Sequence, residues 1–231
     1  MNIIMSEATF VRKLQRLFNS EGFLTKKEVD AGYGIADLIL VQKAGVDFNR
    51  CKVRSNYGQK YPLLKPEYFR VLKHVPDQES QKTPATFDYL TKKTGFSKSY
   101  LRSKILKTLE RNGYIRRVGE RAYLKINGWL PLAREVIAIE AKLKDWKGGF
   151  IQANRYKLFA DKVYLAIPIG VEHLVNKELL IQYGVGLIVL DEKTNKKRVS
   201  ILARKNRSVD LSRKNYALEL FWNMKGLRAL S

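Results

Sequence analysis

Cysteine and histidine, which form disulfides or bind zinc, are scarce in this chain. Its 231 residues contain one cysteine, Cys51, and two histidines. A single thiol cannot form an internal disulfide, and it has no second thiol with which to build a zinc site. The sequence therefore excludes a fold held by internal disulfides and a cysteine-based zinc domain.

Acidic residues and long apolar runs are scarce as well. The chain has 22 Asp and Glu against 44 Lys and Arg, so its formal charge is +22 and its partner is expected to be a polyanion. No apolar stretch approaches the ~20 residues that span a bilayer, which favours nucleic acid over a membrane. The first ten residues lack the basic start and apolar core of a secretory signal. We therefore expect a cytoplasmic protein without a membrane partner.

Helix and strand patterns alternate on both sides of a central region, residues 63–131. Apolar residues recur at helical spacing over 7–20, and a β-hairpin follows with strands at 23–29 and 35–41. The later segments are a strand, a helix, a strand, a helix, two strands and a helix, at 135–143, 149–161, 163–168, 172–183, 185–191, 199–203 and 217–230. This order predicts an α/β domain with a partly parallel sheet, made of residues 1–62 and 132–231.

The central region has a different pattern. Helices are predicted at 66–75 and 97–112, and a further helix begins at Thr83, which supplies the N-cap before Pro84. Two short strands follow within 114–127. Three helices and a β-wing predict an inserted winged helix-turn-helix domain. The run ATFDYLTKKTGFS at 85–97 resembles the turn before the recognition helix in bacterial and archaeal regulators.

Two charges interrupt the apolar strand at 135–143. Glu140 and Lys142 are two residues apart, so both point to one face of the strand. Glu140 and the carbonyl of Ala141 can hold a divalent cation, while Lys142 positions the attacking water or steadies a phosphate. Asp37 interrupts a second apolar strand and supplies another carboxylate if the two strands pair. Oxygen ligands of this kind suit Mg²⁺ or Mn²⁺.

These residues resemble the PD-(D/E)XK nuclease superfamily, whose restriction-endonuclease-like core carries an Asp and an E-x-K on adjacent strands. The resemblance covers 6–41 and 135–191, and Gln152 and Tyr156 resemble the Q-x-x-x-Y element of RecB-like nucleases. It implies that this pair binds DNA or orients the lysine, and that Glu7 or Glu28 assists metal binding. The family's proline before the first Asp is replaced here by Ala36.

The predicted winged domain carries its own candidate contacts to DNA. Side chains of the recognition helix can read base edges, and arginines of the wing can hold phosphates. The candidates are Lys98, Ser99, Tyr100, Arg102, Ser103, Lys104, Lys107, Arg116, Arg117 and Arg121. Winged helices also serve protein contacts, and the basic segment 193–213 is either a solvated surface or a track for phosphates.

The sequence therefore predicts a Mg²⁺-dependent endonuclease that acts on double-stranded DNA. One chain has one such centre, so cleavage of both strands would need a homodimer or a partner subunit. Two alternatives stay open. One is a DNA-binding protein or regulator that keeps a retired nuclease fold, and the other is a nuclease selective for junctions, flaps or RNA.

Overall fold

The computed structural model of the protein describes residues 5–223, except for 33, 60, 81, 127–130 and 208. Its strands are β1 Phe23–Asp30, β2 Ile35–Gln42, β3 Ala85–Thr86, β4 Ile115–Val118, β5 Ala122–Lys125, β6 Ile137–Ala141, β7 Lys162–Pro168, β8 Gly186–Asp191 and β9 Lys196–Ile201.

The α-helices are α1 Glu7–Ser20, α2 Phe48–Asn56, α3 Pro66–Leu72, α4 Phe87–Thr94, α5 Lys98–Tyr100, α6 Lys107–Arg111, α7 Trp146–Arg155, α8 Lys177–Tyr183 and α9 Leu211–Asn223. A π-helical stretch, Leu101–Leu106, joins α5 to α6 without a break, so 98–111 forms one continuous helix. Short 3₁₀ turns occupy Lys43–Gly45, Tyr156–Leu158 and Ile169–Leu174. Within the described part of the chain, every helix is too short or too polar to cross a membrane.

The first of two compact units comprises 1–46 and 133–217. Its six-stranded sheet has the order β1-β2-β6-β7-β8-β9, in which β6, β7 and β8 are parallel and the other neighbours are antiparallel. Helices flank this sheet, and α1 packs Phe10, Leu14 and Phe18 onto a core that includes Leu38 and Ile139. The predicted α/β class with a mixed sheet is confirmed.

Several element ends in this unit differ from the prediction. Strand β6 is shorter than the predicted 135–143, and α7 begins three residues before the predicted 149 because Asp145 caps it by accepting a hydrogen bond from the Gly148 amide at 2.9 Å. The predicted helix at 172–183 is a 3₁₀ turn followed by α8, which Asn176 caps. The last helix begins at Leu211 rather than 217, and its predicted residues 224–230 lie outside the described residues.

The second unit comprises 47–132 and 218–231. It contains α2, α3, α4, the 98–111 helix and a three-stranded sheet of order β3-β5-β4. The helix predicted to start at Thr83 starts later, because Thr86 is the residue that caps it by accepting from the Tyr89 amide at 3.2 Å. The two hairpin strands predicted around 118–120 are observed as β4 and β5.

Helix α2 was not predicted, because its sequence is polar and gave no apolar periodicity. One of its residues, Arg54, is nevertheless buried and donates to Glu219 Oε1 at 2.8 Å and to the Tyr114 hydroxyl at 2.7 Å. Glu219 Oε2 also accepts from the Leu63 amide at 2.9 Å. These contacts place 47–62 and the end of α9 in the second unit, whereas the sequence assigned both to the α/β domain.

Candidate functional site

Asp37 and Glu140 occupy facing positions on adjacent strands of the first unit. Strands β2 and β6 pair Leu38 with Ile139, so the next facing pair in this register is Asp37 and Glu140. Backbone pairing of the two strands ends with Leu38 and Ile139, and Asp37 Oδ2 accepts a hydrogen bond of 2.8 Å from the Ala141 amide. Sequence analysis placed Asp37 beside Glu140 only if their two strands pair. Strands β2 and β6 do pair, and this brings the two carboxylates together.

Glu140 is only 2% exposed, and both of its carboxylate oxygens have partners. Its Oε1 lies 3.0 Å from Lys142 Nζ, and its Oε2 accepts from the Tyr156 hydroxyl at 2.6 Å. The same hydroxyl lies 2.7 Å from the carbonyl oxygen of Ile35. A hydroxyl has one proton, so Tyr156 cannot donate fully to both acceptors.

Burial raises the pKa of both carboxyl groups. For Asp37 the desolvation outweighs the Ala141 amide and the Lys142 charge, which lower its pKa. For Glu140 the desolvation and the charge of Asp37 outweigh the hydrogen bonds from Tyr156 and Lys142. The pKa of Lys142 is raised even though desolvation opposes its charge, because Glu140, Glu7 and Asp37 favour the ammonium form. The site thus concentrates negative charge that water solvates poorly.

Lys142 reaches Glu140 because the facing helix has no side chain at Gly149. A Cβ added at Gly149 would lie 2.6 Å from Lys142 Cγ and 2.7 Å from Leu165 Cδ1, both far inside normal contact distance. The missing side chain therefore leaves the space through which the lysine stem passes. Sequence analysis missed Gly149, because it placed this residue at the first position of the predicted helix 149–161, whereas α7 begins at Trp146 and contains Gly149 in its interior.

The two acids proposed to assist a metal both lie near Asp37. Glu7 Oε2 is 3.8 Å from Lys142 Nζ at the start of α1. Glu28 lies between Lys27 and Val29, which pair with Leu38 and Ala36 on either side of Asp37, and its φ of 53° falls in the left-handed region that few residues other than glycine adopt. Both acids raise the pKa of Asp37.

Gln152 and Tyr156 do not share one environment. Tyr156 is buried and bonded to Glu140, whereas the side chain of Gln152 is exposed and has no hydrogen bond to a described residue. Of the pair, only Tyr156 holds an acidic residue in place, and Gln152 remains open to a ligand.

The donor atoms at this site fit Mg²⁺ or Mn²⁺ better than zinc. Among the described residues no three His, Cys, Asp or Glu side chains are grouped so that they could hold a metal together. The site offers two carboxylates with Ala141, which is the sparse oxygen set that Mg²⁺ accepts while it keeps several waters. Asp37 Oδ1 has no hydrogen bond in the described part of the chain. A divalent cation would also offset the negative charge that burial disfavours.

No family model matches the chain. A search of curated proteins also found no match. Among solved structures, the chain is similar to the SPO1766 protein of unknown function from Silicibacter pomeroyi, with 10% sequence identity and a TM-score of 0.46. That likeness covers 98% of this chain and 91% of the other.

In the second unit, the residues predicted to contact DNA lie on the 98–111 helix and on the β4–β5 hairpin. All are exposed except Tyr100, which is half-buried and packs on Phe96 at 5.6 Å between ring centroids. Arg102 is not free of contacts, because its guanidinium carbon lies 5.0 Å from the centroid of the Phe87 ring. Arg117 lies 3.8 Å from Glu110, whereas Arg116 has no ion pair among the described residues.

Proposed function

We propose that the protein is a DNA nuclease of the PD-(D/E)XK type that depends on a divalent metal. The observation that carries the proposal is the placement of Asp37 opposite Glu140, with Lys142 Nζ 3.0 Å from the Glu140 carboxylate. Asp37, which lies more than 100 residues before Glu140 in the sequence, thus joins Glu140 and Lys142 in one acid-acid-lysine group. We further propose that the first unit has a restriction-endonuclease-like fold and that the second is a winged helix-turn-helix that binds double-stranded DNA.

Each side chain has a distinct role in this proposal. Asp37 and Glu140 provide carboxylate oxygens for the cation, and Tyr156 fixes the orientation of Glu140. Lys142 orients the attacking water or neutralises the scissile phosphate. The cation, when bound, supplies Lewis acidity to the phosphate and lowers the pKa of the attacking water.

The proposal is tested by incubating supercoiled plasmid, linear duplex and branched DNA with the protein in Mg²⁺, in Mn²⁺ and in chelator. We expect nicked or linear products that require the metal. Glu140→Ala and Lys142→Ala should lower the cleavage rate by orders of magnitude and leave duplex affinity nearly unchanged. Lys144→Ala is the matched control, because Lys144 is exposed and two residues further along the chain. Full activity in both site variants would refute the assignment.

A second candidate function is DNA binding without hydrolysis. It is favoured because both carboxylate oxygens of Glu140 already have partners within the protein, one in Lys142 and the other in Tyr156. Under this alternative, duplex binding persists while no substrate is cut in either metal.

A further inference from the structure

An open groove on the first unit is lined by basic side chains. Lys157, Arg204, Lys205 and Arg207 line it together with neutral residues that include Tyr183 and Asn206. Among the described residues, no acidic side chain lines the groove. Four cations around one groove without an anion indicate a site for a polyanion.

Two of these cations are held in place by neutral groups. Lys157 Nζ donates to the carbonyl of Tyr183, and Arg204 donates to the carbonyl of Ile181 at 3.4 Å, near the C-terminal end of α8. The pKa of Lys157 is lowered by burial and by the charge of Arg204. Neither cation forms an ion pair with a described residue, so their charges stay available to a ligand.

The other two cations lie on a segment that is fixed to the body of the unit. Between them, Asn206 donates its amide to the Asp161 carbonyl at 2.8 Å and its side-chain nitrogen to the Ala160 carbonyl at 2.6 Å. Lys205 and Arg207 are exposed and have no hydrogen bond or ion pair in the described part of the chain. Their backbone is thus positioned while their charges face solvent.

The groove lies away from the carboxylates of the candidate site. Gly186, the first residue of β8, pairs with Tyr164 on β7, and Tyr164 in turn pairs with Ile139 on β6. Gly184, which lines the groove, lies two residues before Gly186. Two strand spacings across the sheet and about three residues along it place the groove on the order of 15 Å from Glu140. Glu140 lies near the C-terminal end of β6, whereas Gly184 precedes the first residue of the parallel strand β8, so a nucleic acid that occupies both sites must run along the surface between opposite ends of these strands.

We infer that this groove binds phosphates of the nucleic-acid backbone and anchors the substrate at a distance from the site that cuts it. The inference rests on the proposed function for the identity of the polyanion as DNA. A nucleic acid fits better than an anionic lipid surface, because the lining cations follow a groove and the bound partner must be narrow enough to enter it. Phosphate contacts of this kind hold a strand in register without reading its sequence.

The test compares Lys205→Gln/Arg207→Gln with Arg16→Gln/Lys43→Gln in the full chain. Arg16 and Lys43 are exposed residues of the same unit on α1 and in the turn after β2, so the control loses the same charge elsewhere. Affinity for a fluorescent duplex is measured in chelator over a range of salt concentrations, and thermal midpoints check that both proteins fold. Each lost phosphate contact reduces the salt slope by about 0.9, so we expect the groove variant to lose about two units and the control almost none.

Equal slopes for the groove variant and the wild type would overturn the inference. If the slopes are equal and the groove variant loses binding to vesicles that contain phosphatidylserine, the groove binds a lipid surface instead. The cleavage assay is run in parallel with Mg²⁺. A reduced slope in a protein that cuts no DNA supports the groove and rejects the nuclease, whereas normal cleavage with an unchanged slope rejects the groove alone.

Discussion

Among single residues, Asp37 is one whose burial should lower the free energy of unfolding when no metal is bound. Burial raises its pKa, so the protonated form is favoured in the folded state. A carboxyl group whose pKa is raised by folding stabilises the folded state fully at pH values below its unfolded pKa of about 3.9. This stabilisation is lost as the pH rises through the higher pKa of the folded state. At neutral pH the ionised Asp37 therefore destabilises the fold.

We accordingly expect Asp37→Asn to raise the thermal midpoint at pH 7 in chelator, and the gain to shrink as the pH falls toward the unfolded pKa. Asparagine keeps an oxygen that can accept from the Ala141 amide. Glu192→Gln, at an exposed position, is the control for the loss of one negative charge. A midpoint no higher than that of the control would show that Asp37 is adequately solvated or paired without metal.

The close approach of Lys142 and Leu165 to Gly149 makes this glycine sensitive to substitution. Glycine to alanine usually stabilises a helix interior, but a Cβ at Gly149 would meet Lys142 and Leu165. We expect Gly149→Ala to reduce the cleavage rate by about 10- to 100-fold, because a displacement near 1 Å can cost this much. Duplex affinity in chelator should stay near the wild-type value. Gly170→Ala, where a Cβ meets nothing within 4 Å, is the control, and equal rates for both variants would contradict a positioning role.

At the scale of elements, apolar pattern predicted most of what builds the candidate site. Strands β2 and β6 are apolar runs that are each interrupted by one acidic residue. The apolar runs predict buried strands, and the interruptions mark Asp37 and Glu140 as candidate functional residues. Helix α2 could not be predicted, since its buried Arg54 is paired with a residue 165 positions away. Long-range partners of this kind leave no local periodicity in the sequence.

The proposed winged helix yields a prediction that separates two of its elements. Arg116 on β4 has no ion pair among the described residues, so Arg116→Ala should weaken binding to all duplexes alike and reduce the salt slope by about one unit. Arg102 on the 98–111 helix should instead matter for sequence. We expect Arg102→Ala to cost about 1–3 kcal/mol on a preferred site selected from a random pool and little on random duplex.

A selection that returns no consensus would contradict base readout by Arg102. The contact with Phe87 gives a structural reason for such an outcome, because stacking on the ring already engages the guanidinium. Strong preference for branched over linear DNA in the same experiment would favour a structure-selective nuclease.

At the scale of the whole molecule, the second unit depends on a buried ion pair between distant parts of the chain. Arg54 and Glu219 are each 1% exposed. Removing one partner leaves a buried charge uncompensated, so Glu219→Ala should lower the free energy of unfolding by about 3–5 kcal/mol. Chemical denaturation measures this loss. The double variant Arg54→Met/Glu219→Leu should recover much of it, and no recovery would show that the hydrogen bonds to Leu63 and Tyr114 dominate.

The same pair constrains the order in which the chain can fold during its synthesis. Most of the second unit, residues 47–132, leaves the ribosome before residues 133–217 of the first unit are made. Glu219 is made only after those residues. At roughly 5–20 residues per second, Arg54 waits on the order of ten seconds for its partner. The second unit therefore cannot finish folding before the first is fully translated. In a nascent chain that stalls before Glu219, the incompletely folded second unit would be exposed to chaperones and proteases.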